Sequence, residues 1–523
     1  MGNNNQTLYN STTVPELFLS AFKAYPDRTA LIDTKQHLTY REVAAKSFQI
    51  ARLLQSKDMK RQDTVALLLS NSIDSLITLI AVQLMGLRYI SLHPMASESD
   101  HAFVLQDSGT RMLIADAGKF PERTQALHQQ KIVEQVLTLA PSPIDAGLLQ
   151  QASTMSDTPI TIETQPGDYT KISYSGGTTG RSKGILQTHR TAVTMVNYQL
   201  AHYEWPQAIR FLATTPISHA AGSFVLPIFL RGGAMYLLDK YSAETFMEYV
   251  QQHQINATFM VPTQIYGLLD SPQLEQANLS SLELILYGAS PMAPARLQEA
   301  LKKIGPVFGQ LYGQAEAPMV ISYLRKEDHD PVRPHLLRSC GRVIPGNQVK
   351  LLDAELNEVP PGEIGEICVR GPLVMEGYLN RPEENEKVFA GQWLHTGDMA
   401  REDEQGYLYI VDRAKDMIIS GGFNVYPSEI ENCLATHPAI AMSAVIGVPH
   451  EKWGEEVTAV VVLKPGLQPT KEELIDFILK EKGPVNTPKA IFFEEQLPLT
   501  SLGKIDKKTI RSKFWNQQDR QVS

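Results

Sequence analysis

Two hydrophobic periods alternate through the first two thirds of the chain. Thr39 with Glu42 three residues later makes a capping-box pattern, and Val43, Phe48 and Ala51 share a helix face behind it. Residues 63–69 then form a short apolar run of the buried-strand type. Residues 72–84 read as a helix that Gly86 ends, and residues 89–92 as the next strand. Strand, helix and strand at this spacing predict a parallel sheet covered by helices. The alternation returns at residues 171–175, 234–238, 257–261 and 282–287, all expected strands. Between these blocks, residues 141–168 are rich in Pro, Ser and Thr and are expected to form loop with little regular structure.

The pattern changes over residues 341–370. Short runs at 348–352 and 365–369 flank a Pro360-Pro361-Gly362 turn, as expected of a small antiparallel sheet or barrel. A charged stretch at 411–415 then precedes a last unit of roughly 110 residues, small enough for an independent domain. The expected class is α/β: a large N-terminal domain over residues 1–411, with helix-covered, mainly parallel sheets plus a small β-barrel, and a small α+β C-terminal domain over residues 412–523. A chain of 523 residues is too long for one ordinary core, which agrees with this division.

Composition narrows the function classes. Hydrophobic residues at 43% and charged residues at 20% suit a folded, soluble chain. The net charge of −9 is spread without long like-charge runs, which argues against nucleic acid as the main partner. Cys340, Cys368 and Cys433 are odd in number and widely spaced, so neither a disulfide framework nor a zinc motif is expected, and a cytoplasmic location follows. Residues 1–10 are polar and lack a signal-peptide pattern. Apolar runs such as residues 76–87 are too short and interrupted to form a transmembrane segment.

The strongest chemical signal is Ser175-Gly176-Gly177-Thr178-Thr179-Gly180-Arg181-Ser182-Lys183-Gly184, which follows an expected strand. Its glycines let the backbone bend and aim N–H groups at phosphate oxygens. The threonines add hydroxyl donors, and Lys183 adds a point charge for the β- and γ-phosphates. The competing reading is an ordinary glycine-rich hairpin. A Walker loop is excluded, because its Gly-Lys-Ser/Thr ending and spacing are absent.

Here the chain resembles the adenylate-forming superfamily of acyl-CoA synthetases, aryl-CoA ligases, luciferases and adenylation domains, with a pattern nearest the acyl- or aryl-CoA ligases. The resemblance extends to Pro216-Ile217-Ser218-His219, Tyr312-Gly313-Gln314-Ala315-Glu316, Thr396-Gly397-Asp398, Asp412-Arg413-Ala414-Lys415, Gly421-Gly422-Phe423 and Leu502-Gly503-Lys504-Ile505, all in the family's order. It implies that a carboxylate attacks the α-phosphorus of ATP and expels pyrophosphate, a step catalysed by positioning and charge neutralisation. By the same resemblance, Lys504 is the transition-state cation and Glu316 the Mg²⁺ ligand. Tyr312 stacks on adenine, Gly288-Ala289-Ser290 line the nucleotide, and Asp398 accepts from the ribose hydroxyls. Arg413 contacts ribose or phosphate, and His219 lies at the acyl pocket. The C-terminal domain is implied to be mobile about Lys415, first delivering Lys504 and then presenting Gly421, Gly422 and Phe423 as a tunnel for CoA.

Three departures modify the picture. Gly176 and Ser182 replace the usual Ser and Pro of the phosphate loop. Ala315 replaces a Thr whose hydroxyl helps hold the α-phosphate, a loss expected to weaken nucleotide binding by about 1.5–3 kcal/mol. Val485, Asn486 and Thr487 replace the pair that holds the CoA nucleotide before the proline at 488, leaving Lys489 and the face of Trp453. The acyl pocket is expected from residues 218–224, 261–266, 287–292 and 309–311, which contain no Asp or Lys, so a nonpolar acyl or aryl acid is the expected substrate. CoA is the expected acceptor. An acyl carrier protein or an amine is the alternative, and a non-catalytic nucleotide-binding protein is the reading of another class.

Overall fold

The computed structural model describes residues 12–174, 182–413, 416–420, 423–450, 453–500 and 505–514. The expected first helix is Tyr40–Ser56. Thr39 Oγ1 accepts from Glu42 N, while the Glu42 side chain returns to the Thr39 backbone. The helix Ile73–Leu84 is capped by Ser72 and buried almost all round. It packs against the Tyr40–Ser56 and Val14–Ala24 helices, where a Leu→Ala change costs about 2–5 kcal/mol.

Two large sheets carry the N-terminal region. In the seven-stranded sheet the strands Tyr169–Tyr174, Arg88–Ser91, Thr64–Leu68, Met112–Ala115 and Gln135–Thr138 run parallel, and Gly184–Thr188 and Gly377–Tyr378 add antiparallel at one edge. In the thirteen-stranded sheet a parallel block from Phe308–Gln314 through Leu284–Tyr287, Ala257–Met260, Arg210–Ala213 and Ala234–Leu237 reaches Thr29–Ile32. From Ala317–Leu324 onward its pairing turns antiparallel, through Gly341–Val343, Tyr407–Arg413, Leu394–Glu402, Gly365–Arg370 and Gln348–Leu352. The main core, including Phe18, Ile80, Phe211, Phe224 and Phe229, draws on the helices and on both sheets. The fold is thus α/β with the expected change of strand pairing.

A third, five-stranded sheet carries the last unit, with Ile440–His450 against Gly454–Leu463 at its centre. Residues 141–168 hold one short helix, Leu148–Ala152, that the polar composition hides. It forms because Leu148 and Ala152 bury against the Tyr40–Ser56 helix. All three cysteines are buried and free. No helix among the described residues is long and apolar enough to cross a membrane.

Candidate active site

A continuous cavity of about 2660 Å³ runs along the ends of the parallel strands, where α/β sheets leave room for ligands. The strand Leu284–Tyr287 is fully buried and delivers Gly288-Ala289-Ser290 to the cavity wall. A Cβ on Gly288 would stand 2.5 Å from the Leu311 carbonyl oxygen, so only glycine allows this approach. Phe308–Gln314 pairs with Ala317–Leu324 across a tight turn, and a Cβ on Gly313 would lie 2.3 Å from Met319 N. That turn projects Tyr312, Ala315 and Glu316 into the same space.

At one end of the cavity the residues expected at the nucleotide meet. Asp398 is buried on the strand Leu394–Glu402. One of its oxygens accepts from Tyr312 Oη at 2.7 Å, and the other faces Arg413 Nε at 3.0 Å. Register explains the second contact, because Asp398 and Arg413 are opposed across antiparallel strands. Burial and the Asp398 charge raise the Tyr312 pKa, so its phenol stays protonated and donates. Burial works against the Arg413 charge, but Asp398 and its neighbours outweigh it and raise the pKa. Each carboxylate oxygen keeps a second lone pair for a further donor.

Glu316 forms the second cluster. Its Oε1 accepts from Tyr378 Oη at 2.9 Å, while Oε2 carries no hydrogen bond among the described residues. A half-buried carboxylate with one free oxygen on the cavity wall fits a hard divalent cation such as Mg²⁺. Lys183 Nζ lies 4.9 Å from the centre of the Tyr378 ring and pairs with Glu384. The cation assigned to phosphate is therefore already neutralised, a contact that sequence reasoning missed. Ala315 packs its methyl against the core, and its carbonyl accepts from Gln187 Nε2 at 2.6 Å.

In the part of the cavity expected to take the acid, His219 Nδ1 lies 2.8 Å from Ser218 Oγ, and its ring meets His93 edge-on at 4.5 Å. Burial, then the charges of His93 and Lys171, push its pKa down to about 3, so the ring is neutral at physiological pH. The seven-stranded sheet also contributes Tyr89, Ser91 and Lys171 to the cavity. The stretches expected to line the acid pocket did not include these three. The signal available was a lysine inside the 171–175 strand pattern.

In the last unit, Phe423 is 59% exposed. Trp453 is already in use, because the His450 imidazole stacks on it at 4.4 Å and Lys489 Nζ sits 5.5 Å from its ring centre. Lys507 pairs with Glu431 at 2.8 Å and Arg511 with Asp416 at 2.7 Å, so this basic segment is an anchored helix. Ser175, Gly176, Gly177, Thr178, Thr179, Gly180, Lys415, Gly421, Gly422 and Lys504 lie outside the described residues.

Comparison with known proteins agrees with this arrangement. The AMP-binding enzyme family model matches residues 18–379, and the AMP-binding enzyme C-terminal domain model matches residues 429–504. The chain is 42% identical to the medium/long-chain-fatty-acid–CoA ligase FadD8 of Mycobacterium tuberculosis, over 99% of this chain and 93% of that one. It is 34% identical to a feruloyl-CoA synthase of an Amycolatopsis species, over 94% and 96%. Among solved structures, the amide bond synthetase McbA of Marinactinospora thermotolerans superposes with a TM-score of 0.89 at 28% identity, covering 96% of this chain and all of that one. The chain belongs to the AMP-binding enzyme family.

Proposed function

We propose that this protein is an ATP-dependent acid–thiol ligase. It activates a nonpolar acyl or aryl carboxylic acid as its adenylate, releases pyrophosphate, and transfers the acyl group to CoA. The observation that carries this reading is one cavity with a charged end and an acid end. The charged end holds the Tyr312–Asp398–Arg413 cluster and the open Glu316 oxygen, and the acid end holds neutral His219. Asp398 accepts from the ribose hydroxyls, Arg413 contacts ribose or phosphate, Tyr312 stacks on adenine, and Gly288, Ala289 and Ser290 line its other side. Glu316 holds Mg²⁺, which supplies charge neutralisation when bound. The loop 175–180 with Lys183 cradles the phosphates. Lys183 must first give up Glu384.

The domain boundary falls at residues 411–412. Lys504 reaches the α-phosphate and the carboxylate in one pose of a mobile C-terminal domain. Rotation about Lys415 withdraws it and brings Gly421, Gly422 and Phe423 to the acceptor channel, a role that the exposure of Phe423 suits. The three buried free cysteines support a reducing, cytoplasmic setting. An amine or a carrier-protein thiol is the second reading for the acceptor. The likeness to an amide bond synthetase and the occupied Trp453 face favour keeping it. The test is a panel of acids assayed for pyrophosphate release and acyl product with CoA, with a carrier-protein thiol and with simple amines. Thioester with CoA is expected, and product with an amine alone would replace CoA as the acceptor.

A further inference from the structure

Lys171 stands on the strand Tyr169–Tyr174, and its side chain turns into the cavity that also holds His219. Register sets Tyr89 beside it on one neighbouring strand and Gln187 on the other. Its Nζ lies 5.7 Å from the centre of the Tyr89 ring. Among the described residues no carboxylate pairs with it. Asp100 also lines the cavity, but its carboxylate accepts from Ser97 Oγ at 2.6 Å. The nearby rings of His93 and His219 carry no negative charge. Burial alone, with no acid opposing it, pushes the Lys171 pKa down to about 8, which leaves it mostly charged at neutral pH. An unpaired ammonium held in such surroundings is costly.

The position fixes what can pay that cost. Tyr174 ends the strand, and Lys171 sits three residues earlier, roughly 10 Å back along it. The carboxylate to be activated belongs at the strand ends, beside Tyr312 and Glu316, so Lys171 is placed to meet the other end of the acid. Ala192, Met195, Val196, Val225 and Leu226 wall the same cavity and suit a hydrocarbon or aromatic spacer. We infer that Lys171 anchors a second carboxylate at the far end of the acid substrate, which makes the preferred substrate class an apolar dicarboxylic acid; this rests on the acid-activating reading above.

The experiment compares wild type, Lys171→Met and Lys171→Arg on matched pairs of monocarboxylic and α,ω-dicarboxylic acids of equal chain length. It reads kcat/KM for acid-dependent pyrophosphate release. Wild type is expected to prefer the diacid of the right length. Lys171→Met is expected to lose about 10–100-fold on that diacid, the effect of one hydrogen bond to a charged group, and to hold the monoacid within a few-fold. Lys171→Arg is expected to keep the diacid preference. Turnover of the monoacid by Lys171→Met shows that the variant is folded. An unchanged diacid-to-monoacid ratio would overturn the inference. So would an equal fall for both acids, which would tie Lys171 to the reacting carboxylate instead. Wild-type enzyme that turns over neither kind of acid would sink the acid-activating reading itself, and this inference with it.

Discussion

Lys183 and Lys171 lie near the two ends of one antiparallel strand pair and are treated in opposite ways. Lys183 is met by Glu384 and lies over Tyr378, with 35% of its side chain exposed. Lys171 has an aromatic neighbour and no acid among the described residues. A cation paired in the empty protein costs that state little, but its ligand must displace the partner. A cation left unpaired destabilises the empty protein and gives its ligand the full interaction. On the reading proposed above, the phosphate site at Lys183 is therefore built to exchange partners, and the acid site at Lys171 to wait for one.

A third lysine gives the largest expected effect. Lys504→Ala should lower adenylate formation by about 10²–10³-fold, as when one preorganised charge-stabilising group is removed. Thioester formation from a supplied acyl-adenylate should persist, and stopped-flow assays of each half-reaction read the difference. Equal loss of both halves would count against delivery of this cation in one pose only. Next comes Asp398→Ala. It removes the acceptor shared by Tyr312 and Arg413 and should raise the KM for ATP by about 10–100-fold. An unchanged KM for ATP would remove the ribose assignment.

A pair of variants at Lys183 and its partner should act in opposite directions. Glu384→Gln frees Lys183 and should lower the KM for ATP a few-fold. Lys183→Met should raise it, so the two changes have opposite signs. A partly exposed ion pair is worth about 1 kcal/mol or less, which bounds the gain. If both variants weaken ATP alike, Glu384 is a binding group in its own right. The smallest effect is expected from Ala315→Thr. A new hydroxyl beside the α-phosphate should tighten binding of a non-hydrolysable adenylate analogue several-fold, or about 1 kcal/mol. Ala315 packs against the core and its carbonyl is fixed by Gln187, so weaker binding would mean that the methyl already fills the available space.

Much of this was legible in the chain because the signals are local. The Thr39–Glu42 capping box and the strand runs each speak through neighbouring residues, and the structure forms the expected helix and strands there, whereas the expected loop at 141–168 holds a short helix and residues 175–180 lie outside the described residues. Contacts between distant residues were not legible. Tyr312 and Asp398 are 86 positions apart, and only the two strands that carry them bring their side chains together. Glu384 reaches Lys183 from the separate helix Pro382–Val388. Lys507 and Arg511 look like a basic tail until Glu431 and Asp416 are seen to bind them. The environment of Lys171 is hidden in the sequence for a related reason. Which face of a strand a lysine takes, and whether an acid waits there, depends on neighbouring strands far away in sequence.

A cavity in which carboxylate and ATP meet to make an adenylate must support the first half-reaction by itself. Acid-dependent exchange of labelled pyrophosphate into ATP, with no CoA present, measures that step alone. Exchange is expected to require both an apolar acid and Mg²⁺ and to disappear in Lys504→Ala. Acid-dependent turnover that yields ADP and phosphate with no pyrophosphate exchange would contradict it.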